Sequence, residues 1–170
     1  MTSGAPDLAV DIVERSLLWR EPVADLDALC TETARAALAG SAMPLRGPSE
    51  LSIVLGDDAL LRQLNARWRG IDKPTNVLAF AAEERESPPD APRLLGDVVI
   101  ALETLAHEAE AQGKPLVHHL RHLIVHGVLH LLGYDHIEPA EAERMEALEA
   151  AILRRLDVPD PYRVSEASDG

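Results

Sequence analysis

The chain has 170 residues, of which 46% are hydrophobic, and its formal net charge is −13. This length suits one globular domain with enough apolar residues to bury a core. The negative charge argues against unaided binding to nucleic acid, which depends on neutralising phosphates. Cys30 is the only cysteine, which excludes an intramolecular disulfide and a multi-cysteine zinc site and suits a reducing compartment.

The chain carries no sign of a membrane or secretion segment. No stretch reaches the roughly 18 apolar residues of a membrane span, and residues 1–10 lack a basic region followed by a long apolar run. We therefore expect a soluble, cytoplasmic protein with no membrane contact. Residues 1–156 are predicted to form one domain, and residues 157–170, with their prolines, serines and acids, a loosely ordered tail.

Apolar periodicity predicts alternating strands and helices along the chain. The strands are expected over residues 8–13, 50–55, 76–80 and 94–101, and the first three helices over residues 25–38, 57–67 and 102–112. Prolines and charges over residues 83–92 predict an exposed loop. A histidine-rich helix begins at Pro115 and a last helix covers residues 139–156. The fold class is therefore α/β (α+β), with a small mixed sheet of about four strands and the histidine-rich helix packed against it.

Two charge clusters interrupt this pattern. A basic cluster over residues 62–73 contains three arginines and a lysine with only Asp72 opposing them, and the pattern leaves open whether they are solvated or functional. The last helix carries five glutamates, which are predicted to form a solvated face; they are Glu138, Glu141, Glu143, Glu146 and Glu149.

The most informative motif is the run HGVLHLLGYDH at residues 126–136. His126 and His130 are one helical turn apart, so their imidazoles leave the same side of a helix. Gly133 then allows the chain to turn and bring His136 back. Three neutral imidazoles with a free fourth position are the ligand set of a catalytic zinc, so the motif predicts a metal site.

Helical spacing alone does not choose this pair of histidines. His118, His119 and His122 also stand at spacings that place them near His126 or His130. Only the pair His126/His130 is followed within a turn by a glycine and a further histidine, whereas the other three are expected at the surface or behind the ligands.

Gly127 occupies the position at which the His-Glu-x-x-His helix of metalloproteases has its glutamate base. Hydrolysis of peptides or small amides is therefore the weaker interpretation. The general base stays unassigned: Asp135 is expected to orient a ligand histidine, and Asp97 is a weaker candidate.

Three segments together resemble the YbeY family of bacterial metal-dependent endoribonucleases, which take part in ribosomal RNA maturation. They are the histidine run, residues 64–80 (LNARWRGIDKPTNVLAF) and residues 95–100 (LGDVVI), in the expected order. The resemblance covers roughly residues 51–162. The chain departs from the family at Ala79, where a serine is usual, and in its slightly longer proline-rich loop.

The resemblance implies that His126, His130 and His136 bind one Zn²⁺ per chain and that Arg69 is the functional arginine. A guanidinium grips phosphate through two hydrogen bonds and could orient the scissile phosphodiester. The implied substrates are single-stranded RNA and rRNA precursors rather than DNA, in maturation of the 16S 3′ end and ribosome quality control. The acidic chain suggests recruitment by the ribosome or ribosomal proteins.

An alternative from another class is a non-catalytic ribosome-assembly factor with a structural zinc. A closed site with a fourth protein ligand, or full function of an Arg69→Ala variant, would favour the factor over the enzyme.

Overall fold

Alternation of apolar and polar residues along the strands gives the sheet two different faces. In the computed structural model, which describes residues 8–20, 24–41, 47–82, 91–134 and 137–162, four strands form one mixed sheet. The strands are β1 (Leu8–Glu14), β2 (Ser49–Gly56), β3 (Val77–Ala81) and β4 (Arg93–Ala101). Their order is β1-β2-β4-β3, with β1, β2 and β4 parallel and β3 antiparallel at one edge.

Five helices accompany this sheet, as α/β periodicity predicts, together with a short 3-10 helix at Leu17–Arg20 that the periodicity does not predict. They are α1 (Leu26–Gly40), α2 (Asp58–Arg69), α3 (Leu102–Ala111), α4 (Leu116–Leu131) and α5 (Pro139–Arg155). Predicted and observed boundaries differ by at most two residues; α2, for example, continues past Arg67 to Arg69. No helix in these described ranges is long and apolar enough to cross a bilayer.

The main core lies between the sheet and the helices α1, α4 and α5. Ile53 of β2 and Val98 of β4 are fully buried there beside Leu120 and Ile124 of α4. A smaller apolar cluster on the other face joins Leu61 of α2 to the strands. The prediction of one mixed sheet with the histidine-rich helix against it is confirmed, and this packing fixes where the histidines emerge.

The division at residue 156 stays a prediction, although the residues just beyond it are in contact with the domain. Val158 is buried in the main core, and the hydroxyl of Tyr162 reaches α5. Residues 163–170 lie outside the described part of the chain, as do residues 83–90 of the predicted loop.

Candidate metal centre

Gly127 allows α4 to approach the sheet closely. A Cβ added at this position would lie 2.6 Å from Cγ1 of Val98, closer than two carbon atoms can approach without repulsion. The absence of a side chain therefore has a packing reason, and a glutamate at this position could not point toward an active site. His126 and His130 lie on α4 on either side of Gly127 in the sequence.

His126 and His130 bring two ring nitrogens to a common point. Their Nε2 atoms are 3.2 Å apart, with ring centroids at 4.6 Å and ring planes at 76°. Two nitrogens bound to one tetrahedral zinc at about 2.0–2.1 Å lie roughly 3.3–3.4 Å apart. The pair therefore fits the spacing that a shared metal ion requires, and the side chain of His126 is 24% exposed, which leaves the site open to solvent.

The helix ends after this pair as the sequence predicts. The amide of Gly133 donates to the carbonyl of His130 at 3.0 Å, and the amide of Tyr134 donates to that of Leu129 at 3.1 Å. Gly133 has a φ of 103°, a conformation that glycine adopts without strain. His136 and Asp135 lie outside the described residues, so the three-histidine ligand set stays a prediction. Within the described ranges no group of three potential metal ligands is assembled.

Glu149 of α5 is the residue that sequence analysis placed wrongly. It was predicted to belong to a solvated acidic face, but its side chain is fully buried. Its Oε1 atom accepts a hydrogen bond from Nδ1 of His126 at 3.0 Å. A carboxylate in this position holds the proton on Nδ1 and leaves Nε2 as the lone-pair nitrogen, which is how a metal-binding histidine is oriented. Glu149 therefore orients His126, whereas the role expected for Asp135 stays a prediction.

Two further donors complete the surroundings of Glu149. Nε2 of His122 lies 3.1 Å from Oε1, and the hydroxyl of Tyr162 donates to Oε2 at 2.8 Å. Burial alone would raise the pKa of Glu149, but the hydrogen bonds and charge of His122 and His126 lower that pKa to about 2. Burial and the nearby Glu149 raise the pKa of Tyr162 above its usual range, so the phenol stays a donor.

The remaining histidines of α4 have structural positions that spacing alone left open. His119 is 3% exposed, and its Nε2 atom lies 2.8 Å from Oε1 of Glu108 in α3. The same carboxylate accepts a hydrogen bond from Asn76, just before β3. This network joins α3, α4 and the residue before β3. It lies near the amino-terminal end of α4, away from the His126/His130 pair. His118 is half-buried on the same helix.

Arg69 is the exposed last residue of α2. Within the described part of the chain its guanidinium forms no hydrogen bond with the histidine pair, so its role stays a prediction. Asp97 is displaced from the centre by strand alternation, because it faces the side of the sheet opposite Val98 and lines a groove there with Asp11 and Ser52. It therefore cannot serve the histidines as a base.

Comparisons with known proteins agree with the resemblance carried by the motifs. A family model described as Endoribonuclease YbeY matches residues 21–157. The endoribonuclease YbeY of Paramagnetospirillum magneticum is 52% identical over 159 residues, which cover 92% of this chain and 95% of that protein. The endoribonuclease YbeY of Rhodopseudomonas palustris strain BisB18 is 60% identical over 116 residues, covering 67% of this chain and 69% of that protein.

A solved structure supports the fold independently. The solution structure of a protein from Thermotoga maritima superposes with a TM-score of 0.51 over 92% of this chain and 100% of that one. At 19% identity this likeness bears on the fold alone. The family model and the curated relatives together cover the histidine helix, the sheet and α2. The chain therefore belongs to the endoribonuclease YbeY family.

Proposed function

We propose that this chain is a metal-dependent endoribonuclease that cleaves single-stranded RNA with one Zn²⁺ held by His126, His130 and His136. As a member of its family, it hydrolyses phosphodiester bonds of RNA and acts in rRNA maturation. The observation that supports the metal most directly is the 3.2 Å separation of the two Nε2 atoms beside a buried carboxylate. When bound, a divalent cation supplies positive charge that polarises a phosphoryl oxygen and makes water more acidic.

Two of the chain's own residues would have separate roles, one toward the histidines and one toward the RNA. Glu149 keeps the proton of His126 on Nδ1, so that the lone pair of Nε2 would be available to hold a metal ion. The guanidinium of Arg69 would grip the scissile phosphate and stabilise charge that develops on it. Gly127 offers no carboxylate beside the first histidine, which disfavours a peptidase of the His-Glu-x-x-His kind.

The finer assignments follow from family membership and charge. We propose rRNA precursors as substrates, with maturation of the 16S 3′ end and removal of defective ribosomes as the processes served. With a net charge of −13, the chain would depend on ribosomal proteins to bring it to RNA. Its relatives are bacterial proteins, so the proposed place of action is the bacterial cytoplasm.

The test compares RNA cleavage by the wild type, His130→Ala and Arg69→Ala, with metal content measured on each protein. We expect His130→Ala to lose both metal and cleavage, and Arg69→Ala to lose cleavage while it keeps the metal. Arg62→Ala is the matched control, because Arg62 is an exposed arginine of the same helix that pairs with Asp72 at 2.8 Å. It should keep both properties.

Two results would contradict the proposal. Wild-type protein that demonstrably holds zinc but leaves single-stranded RNA intact would remove the nuclease function. If Arg69→Ala cleaved RNA at the rate of the wild type, Arg69 would not have the proposed role. Full cellular function of that variant would favour an assembly factor with a structural zinc.

A further inference from the structure

Trp68 is an exposed aromatic residue whose ring is nevertheless held in place. Its side chain extends the buried face of α2 by one turn beyond Asn65, and its ring lies against Phe80 of β3 with centroids 6.2 Å apart. Even so, Trp68 is 62% exposed. The other tryptophan, Trp19, is fully buried and donates its indole N–H to the carbonyl of Gly56. A partner that covered this ring would remove apolar surface from water, which is favourable.

The position of Trp68 is related to the histidine pair through β3. Gly127 of α4 packs on Val98, and the strand partner of Val98 in β3 is Ala79. Phe80, the next residue, points to the opposite face of the sheet, where Trp68 covers it. The contact point of Gly127 and the ring of Trp68 therefore lie about one residue apart along β3, on opposite faces of the sheet. Because β3 is an edge strand of the four described ones, a chain can pass from one face to the other around it.

The segment of α2 that carries Trp68 is basic, whereas acids of the same sheet face, Asp11 and Asp97, line the groove on the other side of Phe80. The guanidinium of Arg67 lies 5.3 Å from the centre of the indole ring. Arg69 and Lys73 are exposed nearby, whereas the one acid of this segment, Asp72, is paired with Arg62. Exposed aromatic rings among basic side chains are the usual elements of a surface that binds single-stranded nucleic acid.

We propose that Trp68 is a stacking platform for one base of the single-stranded RNA that crosses the edge of β3 toward the imidazoles. The inference rests on the proposed nuclease function and adds a specificity determinant to it. A base in the interior of a duplex is stacked on both sides and cannot lie on the indole, whereas any unpaired base can do so. Arg67, Arg69 and Lys73 would hold the adjoining phosphates without reading the sequence.

The experiment measures binding of a short oligouridylate to the full chain in the absence of divalent cations, so that the RNA stays intact. Intrinsic tryptophan fluorescence reports on the platform directly, because Trp19 is buried and Trp68 is exposed. We expect oligouridylate to quench the fluorescence of Trp68, and inorganic polyphosphate or a long RNA duplex with few ends to leave it unchanged. Trp68→Ala should weaken oligouridylate binding by roughly 5-fold to 150-fold, the worth of one stacked base.

Two control variants separate stacking from folding and from general surface hydrophobicity. Trp68→Tyr keeps an aromatic face over Phe80 and should retain most of the affinity. Leu17→Ala removes another apolar side chain, which is 72% exposed in the 3-10 helix, and should bind like the wild type. If Trp68→Ala folds poorly, quenching of Trp68 fluorescence in the wild type still tests whether a base stacks on this ring.

The outcomes distinguish this inference from the function on which it rests. Wild-type affinity of a folded Trp68→Ala variant, or equal quenching by polyphosphate, would overturn the platform while RNA cleavage by the metal-loaded wild type left the nuclease in place. A protein partner on Trp68 would give that same pattern of unchanged RNA binding. Failure of the metal-loaded wild type to cleave any RNA would instead refute the proposed function.

Discussion

Replacement of Glu149 should disturb both the stability of the fold and the orientation of His126. The carboxylate is fully buried and is contacted by His126, His122 and Tyr162. Deleting a buried charged group on which several donors converge leaves those donors without an acceptor, and losses of this kind cost about 3–5 kcal/mol. We therefore expect Glu149→Ala to lower the free energy of unfolding of the metal-free protein by about 3–5 kcal/mol. Native domains have only about 5–15 kcal/mol in total.

Glu149→Gln separates the charge of the side chain from its volume. The amide keeps one acceptor oxygen for Nδ1 of His126 but presents an N–H donor to the other partners, so the stability loss should be smaller than for Glu149→Ala. The weaker hold on the imidazole should reduce zinc affinity by about 10-fold to 100-fold. Urea unfolding followed by circular dichroism gives the first quantity, and competition with a chromophoric chelator gives the second.

The matched control is Glu143→Gln, which makes the same chemical change at an exposed position of α5. It should leave both measurements unchanged. A Glu149→Gln protein with wild-type zinc affinity and wild-type unfolding would refute the reasoning, since the carboxylate would then have no part in orienting His126.

Two more predictions concern packing and reactivity. Gly127→Ala should lower the free energy of unfolding by about 1–2 kcal/mol, because overpacking costs about 1–3 kcal/mol and alanine's helix propensity returns at most about 1. In a Val98→Ala background, in which both Cγ atoms near the new methyl are gone, the same change should be neutral or stabilising; equal effects in both backgrounds would show that Val98 is not the obstacle. Cys30 is fully buried, and burial together with Asp27 raises the pKa of its thiol to about 12, so a disulfide reagent should label the native protein slowly and the urea-unfolded protein fully. Rapid labelling of Cys30 without urea would contradict the burial of this face of α1.

The elements of the fold were predictable because their signals are local. The apolar run of β4 lies within the strand that it specifies, and Asp57 and Asp58 lie at the start of α2. Asp57 accepts a hydrogen bond from the amide of Leu60, as a helix cap should. The 3-10 helix at Leu17–Arg20 has no such periodic signal, and it was missed.

The candidate site was predictable only as far as one helix reaches. The spacing of His126 and His130 is a local property, and the structure brings their Nε2 atoms together. The contact between His126 and Glu149 spans 23 residues and depends on how α4 and α5 pack. A usable signal was present, because Glu149 lies between Met145 and Ile152 on the apolar face of α5. An acid within such a stripe must find a buried partner.

The hydrogen bond between His126 and Glu149 also ties α4 to α5, two helices that pack on each other at the core. Because the acid belongs to α5 and the imidazole to α4, any ion that needs Nε2 of His126 also favours the docked position of α5, by mass action. Cation supply and resistance to proteolysis should then rise and fall together. Removal of the cation should therefore make α5 easier to release from the core and the chain easier to degrade.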